Sequence, residues 1–190
     1  MRARFRAWLG NARIRMQVDI GFGDVVTAGP EDVTLPLMLE TLPSVTLRAY
    51  PREQTVAEKF EAMVELDVRN SRMKDFHDLW VLAGVFPFDG ARLRDAVAGC
   101  FARRGTPWSD EPPAVLTASF YGRAEMQARW FGYVRGGTVQ DVPPSDFAAI
   151  GERLVAFLGP VHDAMETNTP LRARWAPGGT WEPHDEDAAR

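Results

Sequence analysis

At Pro51 the sequence changes period, and that change constrains the fold more than any other feature. Before it, RIRMQVDIGF (13–22) alternates, with Ile14, Met16, Val18 and Ile20 on one side and Arg13, Arg15, Gln17 and Asp19 on the other. A repeat of two predicts a strand with one buried face. Gly21, Gly23 and Asp24 break the run. After a loop marked by Pro30, Pro36 and Pro43, SVTLRAY (44–50) reads as a second strand, opposing Val45, Leu47 and Ala49 to Thr46 and Arg48. Ahead of both, residues 2–10 read as a short helix ending at Gly10.

Beyond Pro51 the repeat is helical. REQTVAEKFEAMVEL (52–66) puts Val56, Phe60, Met63 and Val64 on one stripe. NSRMKDFHDLW (70–80) continues to about Ala83, with Asn70 or Ser71 as its start cap. DGARLRDAVAGCFARRG (89–105) is opened by Asp89 and closed by Gly105. AEMQARWFGYV (124–134) and SDFAAIGERLVAFLG (145–159) are two more amphipathic helices, the last ended or kinked by Gly159 and Pro160. The pattern predicts an α+β chain: a partial sheet over 1–50, a mainly helical domain over 51–168, and a loosely ordered tail over 169–190, where no period is visible. Two strands alone make no stable sheet, so the first part reads as the edge of a larger one.

Bulk properties exclude several classes. With 45% hydrophobic and 25% charged residues the chain has the makings of a core and is not disordered as a whole. A net charge of −4 provides no global field for nucleic acid. The arginines at 2, 4, 6, 13 and 15 leave room for a basic RNA-binding appendage, ranked behind simple solvation of an exposed end. The single cysteine, Cys100, excludes an internal disulfide and a thiolate metal cluster, and reads as a buried inert thiol. Neither a membrane-spanning run nor a secretory signal is visible, so a cytoplasmic protein is expected.

Chemistry concentrates in few places. Asp19 ends a strand before a Gly-x-Gly turn, where a carboxylate can project over a sheet or simply pair with Arg13 or Arg15. Lys59 lies next to Phe60 of the apolar stripe; such a lysine either snorkels to water or folds inward as a point charge for phosphate. Lys74, Asp75 and Asp78 share adjoining rows of one helix, either as an i,i+4 ion pair or as a buried network completed by Lys59 and Glu58. His77, His162 and His184 show no metal-ligand spacing and read as ordinary. Phosphate-cradling loops and nucleophile elbows are absent.

Three segments, MQVDIGFGDVV, LRAYPREQTVAEKFEAMVEL and NSRMKDFHDLWVL, resemble the nucleotidyl transferase AbiEii/AbiGii toxin family of type IV toxin–antitoxin and abortive-infection systems. CFARRGTPW and QARWFGYV are similar to its C-terminal region, so that the likeness runs from about Arg13 to about Leu158. It implies a polymerase-β-like core joined to a helical region, the use of NTP and Mg²⁺, an RNA acceptor such as a tRNA end, a nearby antitoxin, and a role in phage defence. By the same resemblance Asp19 corresponds to a core carboxylate that holds metal. Lys59 corresponds to the lysine of the AEKF motif, and Lys74, Asp75 and Asp78 to the KDFxDL motif facing the nucleotide. The expected roles are Asp19, Lys59 and Asp78 in catalysis and Lys74 and Asp75 in substrate binding. The family's Gly-Ser turn, Asp-x-Asp pair and GGTAL-like segment do not precede Asp19 here. The resemblance therefore implies either a transferase, active alone or when another chain supplies the missing first half of its core, or a non-catalytic remnant that serves as an interaction module.

Overall fold

The computed structural model describes residues 1–22, 26, 29–37, 39–137 and 141–183; Gly23, Asp24 and His184 lie outside them. The α+β class holds, with small antiparallel sheets ahead of the helices.

Strands β1 (Arg2–Leu9) and β2 (Ala12–Asp19) pair along their whole length, from Arg2↔Asp19 to Leu9↔Ala12. The helix expected over 2–10 is thus a strand. RARFRAWL alternates in steps of two, and Gly10, at φ +57°, opens the two-residue turn Gly10–Asn11 into β2 instead of closing a helix. Residues directly opposite in an antiparallel pair share a face. Ala3, Phe5, Ala7 and Leu9 therefore join Ala12, Ile14, Met16 and Val18 on an apolar face. That face is not buried as expected: Phe5 is 49%, Met16 42% and Val18 45% exposed. Strands β3 (Glu31–Thr34) and β4 (Thr46–Ala49) form a second two-stranded sheet, the latter where expected.

The core belongs to the helices α1 (Arg52–Leu66), α2 (Met73–Val85), α3 (Gly90–Arg104), α4 (Ala118–Tyr121), α5 (Ala124–Gly136) and α6 (Phe147–Glu166). Helix α1 buries Val56, Phe60 and Met63, and α2 buries Met73, Phe76 and Leu79. Phe76 lies 5.2 Å from Phe147 of α6 and 5.9 Å from Phe120 of α4, at the centre of an aromatic cluster. Neither Asn70 nor Ser71 is the cap of α2, which is Arg72; Asn70 Oδ1 instead accepts from the Arg72 amide, two residues on, at 2.8 Å. Asp89 does cap α3, accepting from the Arg92 amide at 2.8 Å, and Gly105 closes it at φ +69°. Helix α6 passes through Pro160 without ending there. Burial of Phe157, Leu158 and Val161 on both sides of the proline offsets its missing N–H bond.

The loose tail does not hold over 173–183. Strand β6 (Ala173–Ala176) pairs on one side with β5 (Phe88–Asp89) and on the other with β7 (Thr180–Pro183). Trp175 is fully buried there, donating from Nε1 to the Ala83 carbonyl at 2.7 Å.

Candidate active site

Helices α1 and α2 are held together on one flank by a charged knot. The stripe of α1 faces the core, which places Lys59 at its edge, side chain 20% exposed. Its ammonium donates to Asp75 Oδ1 at 2.8 Å and to Asp78 Oδ2 at 2.6 Å, one helical turn apart on α2. Asp75 also meets Arg72 Nε at 3.2 Å, and Asp78 meets Lys74. Burial works to lower the Lys59 pKa, but the hydrogen bonds and charges of Asp75 and Asp78 outweigh it and hold the ammonium above its ordinary value. Burial likewise pushes the Asp78 carboxyl up, and the bonds from Lys59 and Lys74 overcome it, leaving Asp78 below the usual carboxylate range.

On the other flank of α2, His77 is buried and accepts or donates at both ring nitrogens. Nδ1 lies 3.0 Å from the Tyr133 hydroxyl on α5, and Nε2 lies 2.9 Å from the Asp141 carbonyl. A carbonyl can only accept, so Nε2 carries a proton; in neutral imidazole Nδ1 then accepts from Tyr133. Burial, and then the Asp78 charge, raise the Tyr133 pKa, so its hydroxyl stays protonated as that donor. Beside these groups runs an open groove lined by Ser71, Arg72, Lys74, Asp75, Arg129 and Tyr133. Arg129 is anchored to the Asn70 carbonyl at 3.0 Å and to Glu125. Two residues beyond Lys59, the buried Glu61 is neutralised separately, by Arg104 at 3.0 Å and the Thr106 hydroxyl.

Of the residues singled out from the sequence, Lys59, Lys74, Asp75 and Asp78 come together. Asp19 does not join them. Its exposed carboxylate accepts from Arg2 at 2.6 Å and from Gln17 at 3.1 Å within its own hairpin, and the Arg2 bond, more than Gln17, lowers its pKa. The neighbours anticipated for it, Arg13 and Arg15, are not its partners. Sequence reasoning missed Tyr133, Arg72 and Arg129 as walls of the groove, and His77 as the buried partner of Tyr133. Tyr133 is 56 residues from His77, and no local spacing signals a contact across that distance.

The donor set decides what the groove can take. Three cations, Lys59, Arg72 and Lys74, surround two carboxylates. Such a cluster has positive charge to spare and suits phosphate oxygens; its carboxylates are already compensated and do not fit a divalent cation. Asp19, held by Arg2, offers one carboxylate and no cage. Among the described residues, His162, Asp163 and Glu166 on α6 can approach a common point; His162 turns Nδ1 toward Asp163 at 3.6 Å and Nε2 toward the Ser109 carbonyl at 3.3 Å.

Residues 1–156 match a family model described as nucleotidyl transferase AbiEii toxin, Type IV TA system. Neither the curated proteins nor the solved structures give a match.

Proposed function

The chain belongs to the AbiEii family of nucleotidyl transferase toxins of type IV toxin–antitoxin systems, and from that premise we propose that the α1–α2 groove binds the phosphates of an NTP during nucleotide transfer to an RNA, with a tRNA end as the acceptor. The observation that carries the reading is the Lys59 ammonium, which bridges Asp75 and Asp78 and meets through Asp75 a groove also lined by the cations Arg72, Lys74 and Arg129.

In the reaction an acceptor hydroxyl attacks the α-phosphorus, a new P–O bond forms, and the bond to pyrophosphate breaks. Negative charge is spread over phosphate oxygens throughout, so fixed cations in the groove stabilise the transition state. Lys59 serves as the phosphate-side cation. Asp78 orients the acceptor hydroxyl by accepting its hydrogen bond; a carboxyl held below its usual range is a poor store for the proton but a good acceptor. Asp75 is the alternate for that role, and Lys74 assists at the exposed rim. The divalent ion that the family uses is not held by these carboxylates, which are already paired with Lys59, Arg72 and Lys74. The wider setting proposed is cytoplasmic, with an antitoxin partner and a part in phage defence; no helix among the described residues is long and apolar enough to cross a membrane.

A second reading has an observation in its favour: both carboxylates bound by Lys59 are internal, as in a purely structural tie between helices. In that reading the chain is a non-catalytic interaction module. The test is incorporation from each of the four α-labelled NTPs into total RNA in magnesium buffer, alongside growth of cells expressing the chain. Transfer predicts label from at least one nucleotide, and its loss in Lys59→Ala and Asp78→Ala chains that still melt cooperatively. A chain that labels nothing and arrests nothing leaves the module. If Asp78→Ala erased toxicity while leaving the melting temperature unchanged, the module reading would fail.

A further inference from the structure

The β1–β2 hairpin has a second face, opposite its apolar one, and its composition is unusual for this acidic chain. Residues 1–20 contain five of the 22 basic residues and one of the 26 acidic ones. The register puts all five arginines on that one face: Arg2 opposite Asp19, Arg4 opposite Gln17, Arg6 opposite Arg15, and Trp8 opposite Arg13. Arg2 is spent on Asp19, and Arg4 donates to Gln17 at 3.3 Å. Arg6, Arg13 and Arg15 are exposed and have no polar partner among the described residues. Trp8, on the same face, is 66% exposed.

Arg6 and Arg15 sit directly across the ladder from each other, an arrangement of like charges that costs stability unless an anion lies between them. Alternate residues of a strand are about 7 Å apart, a spacing that lets neighbouring guanidinium groups take successive phosphates of one extended strand. A guanidinium fork binds phosphate oxygens two at a time. An exposed indole among such cations supplies a flat platform for an unpaired base, as in proteins that hold single strands by backbone charge and stacking.

We infer that the arginine face of the β1–β2 hairpin is a binding surface for single-stranded RNA, in which Arg6, Arg13 and Arg15 hold backbone phosphates and Trp8 stacks on a base. The inference rests on the transferase reading only in taking the bound strand to be the acceptor. An RNA-free role, with an acidic polypeptide on the same arginines, is the competing outcome.

The test uses the full chain and a fluorescent unstructured 20-nucleotide RNA, with neither NTP nor metal, so that transfer does not enter. Replacing Arg6, Arg13 and Arg15 together by glutamine weakens binding by on the order of tenfold or more and lowers the slope of log K against log salt by about 2. Trp8→Ala weakens binding by about tenfold with the slope kept. All four side chains are exposed, so the helical circular-dichroism melt stays in place and serves as the folding control. Unchanged affinity in the triple variant overturns the inference, and so does competition by polyglutamate as strong, charge for charge, as by unlabelled RNA. RNA binding through this face in a chain that never labels RNA sinks the transferase reading alone; unchanged affinity in a triple variant of a chain that does label RNA sinks this inference alone.

Discussion

Asp78 is the side chain whose ionisation ties local stability to the proposed chemistry. Burial pushes its carboxyl up, but the bonds from Lys59 and Lys74 outweigh it and hold the group below the ordinary carboxylate range. A depressed carboxylate contributes stability that is full above its unfolded value and is lost as pH falls through its folded one. Lys59, raised above 10.5, contributes below its unfolded value and loses that contribution as pH rises past its folded one. The knot is therefore fully effective between about pH 4 and about pH 10. Asp78→Asn should cost about 1–2 kcal/mol at neutral pH and flatten the fall in melting temperature between about pH 5 and pH 3. Parallel acid-side melts of parent and variant that superimpose would show that Asp78 carries no such load. The membership of this knot was legible because i, i+3 and i+4 spacing on α2 leaves few ways to arrange Lys74, Asp75 and Asp78. The partner of Asp19 was not: Arg2 comes within reach only once the hairpin register is fixed, and residues 2–10 did not read as a strand.

At the scale of elements, helical period marked α1, α2, α3, α5 and α6, whose apolar stripes are long enough to show a repeat, and capping residues marked both ends of α3. The short strands were harder. RARFRAWL mixes good helix formers with a period of two, and its final Gly10 serves as well for a turn as for a helix end. Pro160 misled in the other direction, since tertiary burial overrides its local cost. Packing between elements also decides what a glycine means, and a matched pair of substitutions shows it. A Cβ on Gly151 of α6 would lie 2.3 Å from Cγ of the Tyr121 ring, which is itself pinned by its hydroxyl donating to the Val115 carbonyl at 2.8 Å. Gly132 of α5 has no atom within 4 Å of that position. Both replacements remove the entropic penalty of a helical glycine, up to about 1 kcal/mol. Gly132→Ala should therefore stabilise by roughly 0.5–1 kcal/mol, whereas Gly151→Ala should destabilise by roughly 1–3 kcal/mol because overpacking against a buried ring prevails. Urea midpoints of the two variants should move in opposite directions; equal shifts would mean that Tyr121 has room to yield.

Across the whole molecule, the stretch that matches the family, residues 1–156, ends inside α6, yet the packing that completes the helical body lies partly beyond it. Phe157 stands between Phe88 at 5.0 Å and Trp175 at 4.9 Å, and Trp181 stacks on Phe157 at 6.1 Å. Leu171 and Ala173 come so close to Gly90 that a Cβ there would lie 2.5 Å from the Leu171 carbonyl oxygen. None of this was legible from the sequence, because β5 is two residues long and β6 and β7 four each, too short for any period to register. What identifies the segment as part of the body is a single side chain. Trp175 has no exposed surface, and its indole N–H satisfies the Ala83 carbonyl at the end of α2, the helix that carries Asp75 and Asp78. Truncating it removes a large buried ring and leaves a cavity between α2, α6 and β7, so Trp175→Ala should cost about 3–5 kcal/mol by equilibrium denaturation. Trp175→Phe keeps most of the packing but removes the shorter of two bonds to the Ala83 carbonyl, which still accepts from the Gly178 amide at 3.3 Å, and should cost about 0.5–1.5 kcal/mol. A loss below about 1 kcal/mol for the alanine variant would mean that the terminal strands rest on the helices without supporting them. The ordering alanine, then phenylalanine, then parent ties that support to both the ring volume and its one hydrogen bond.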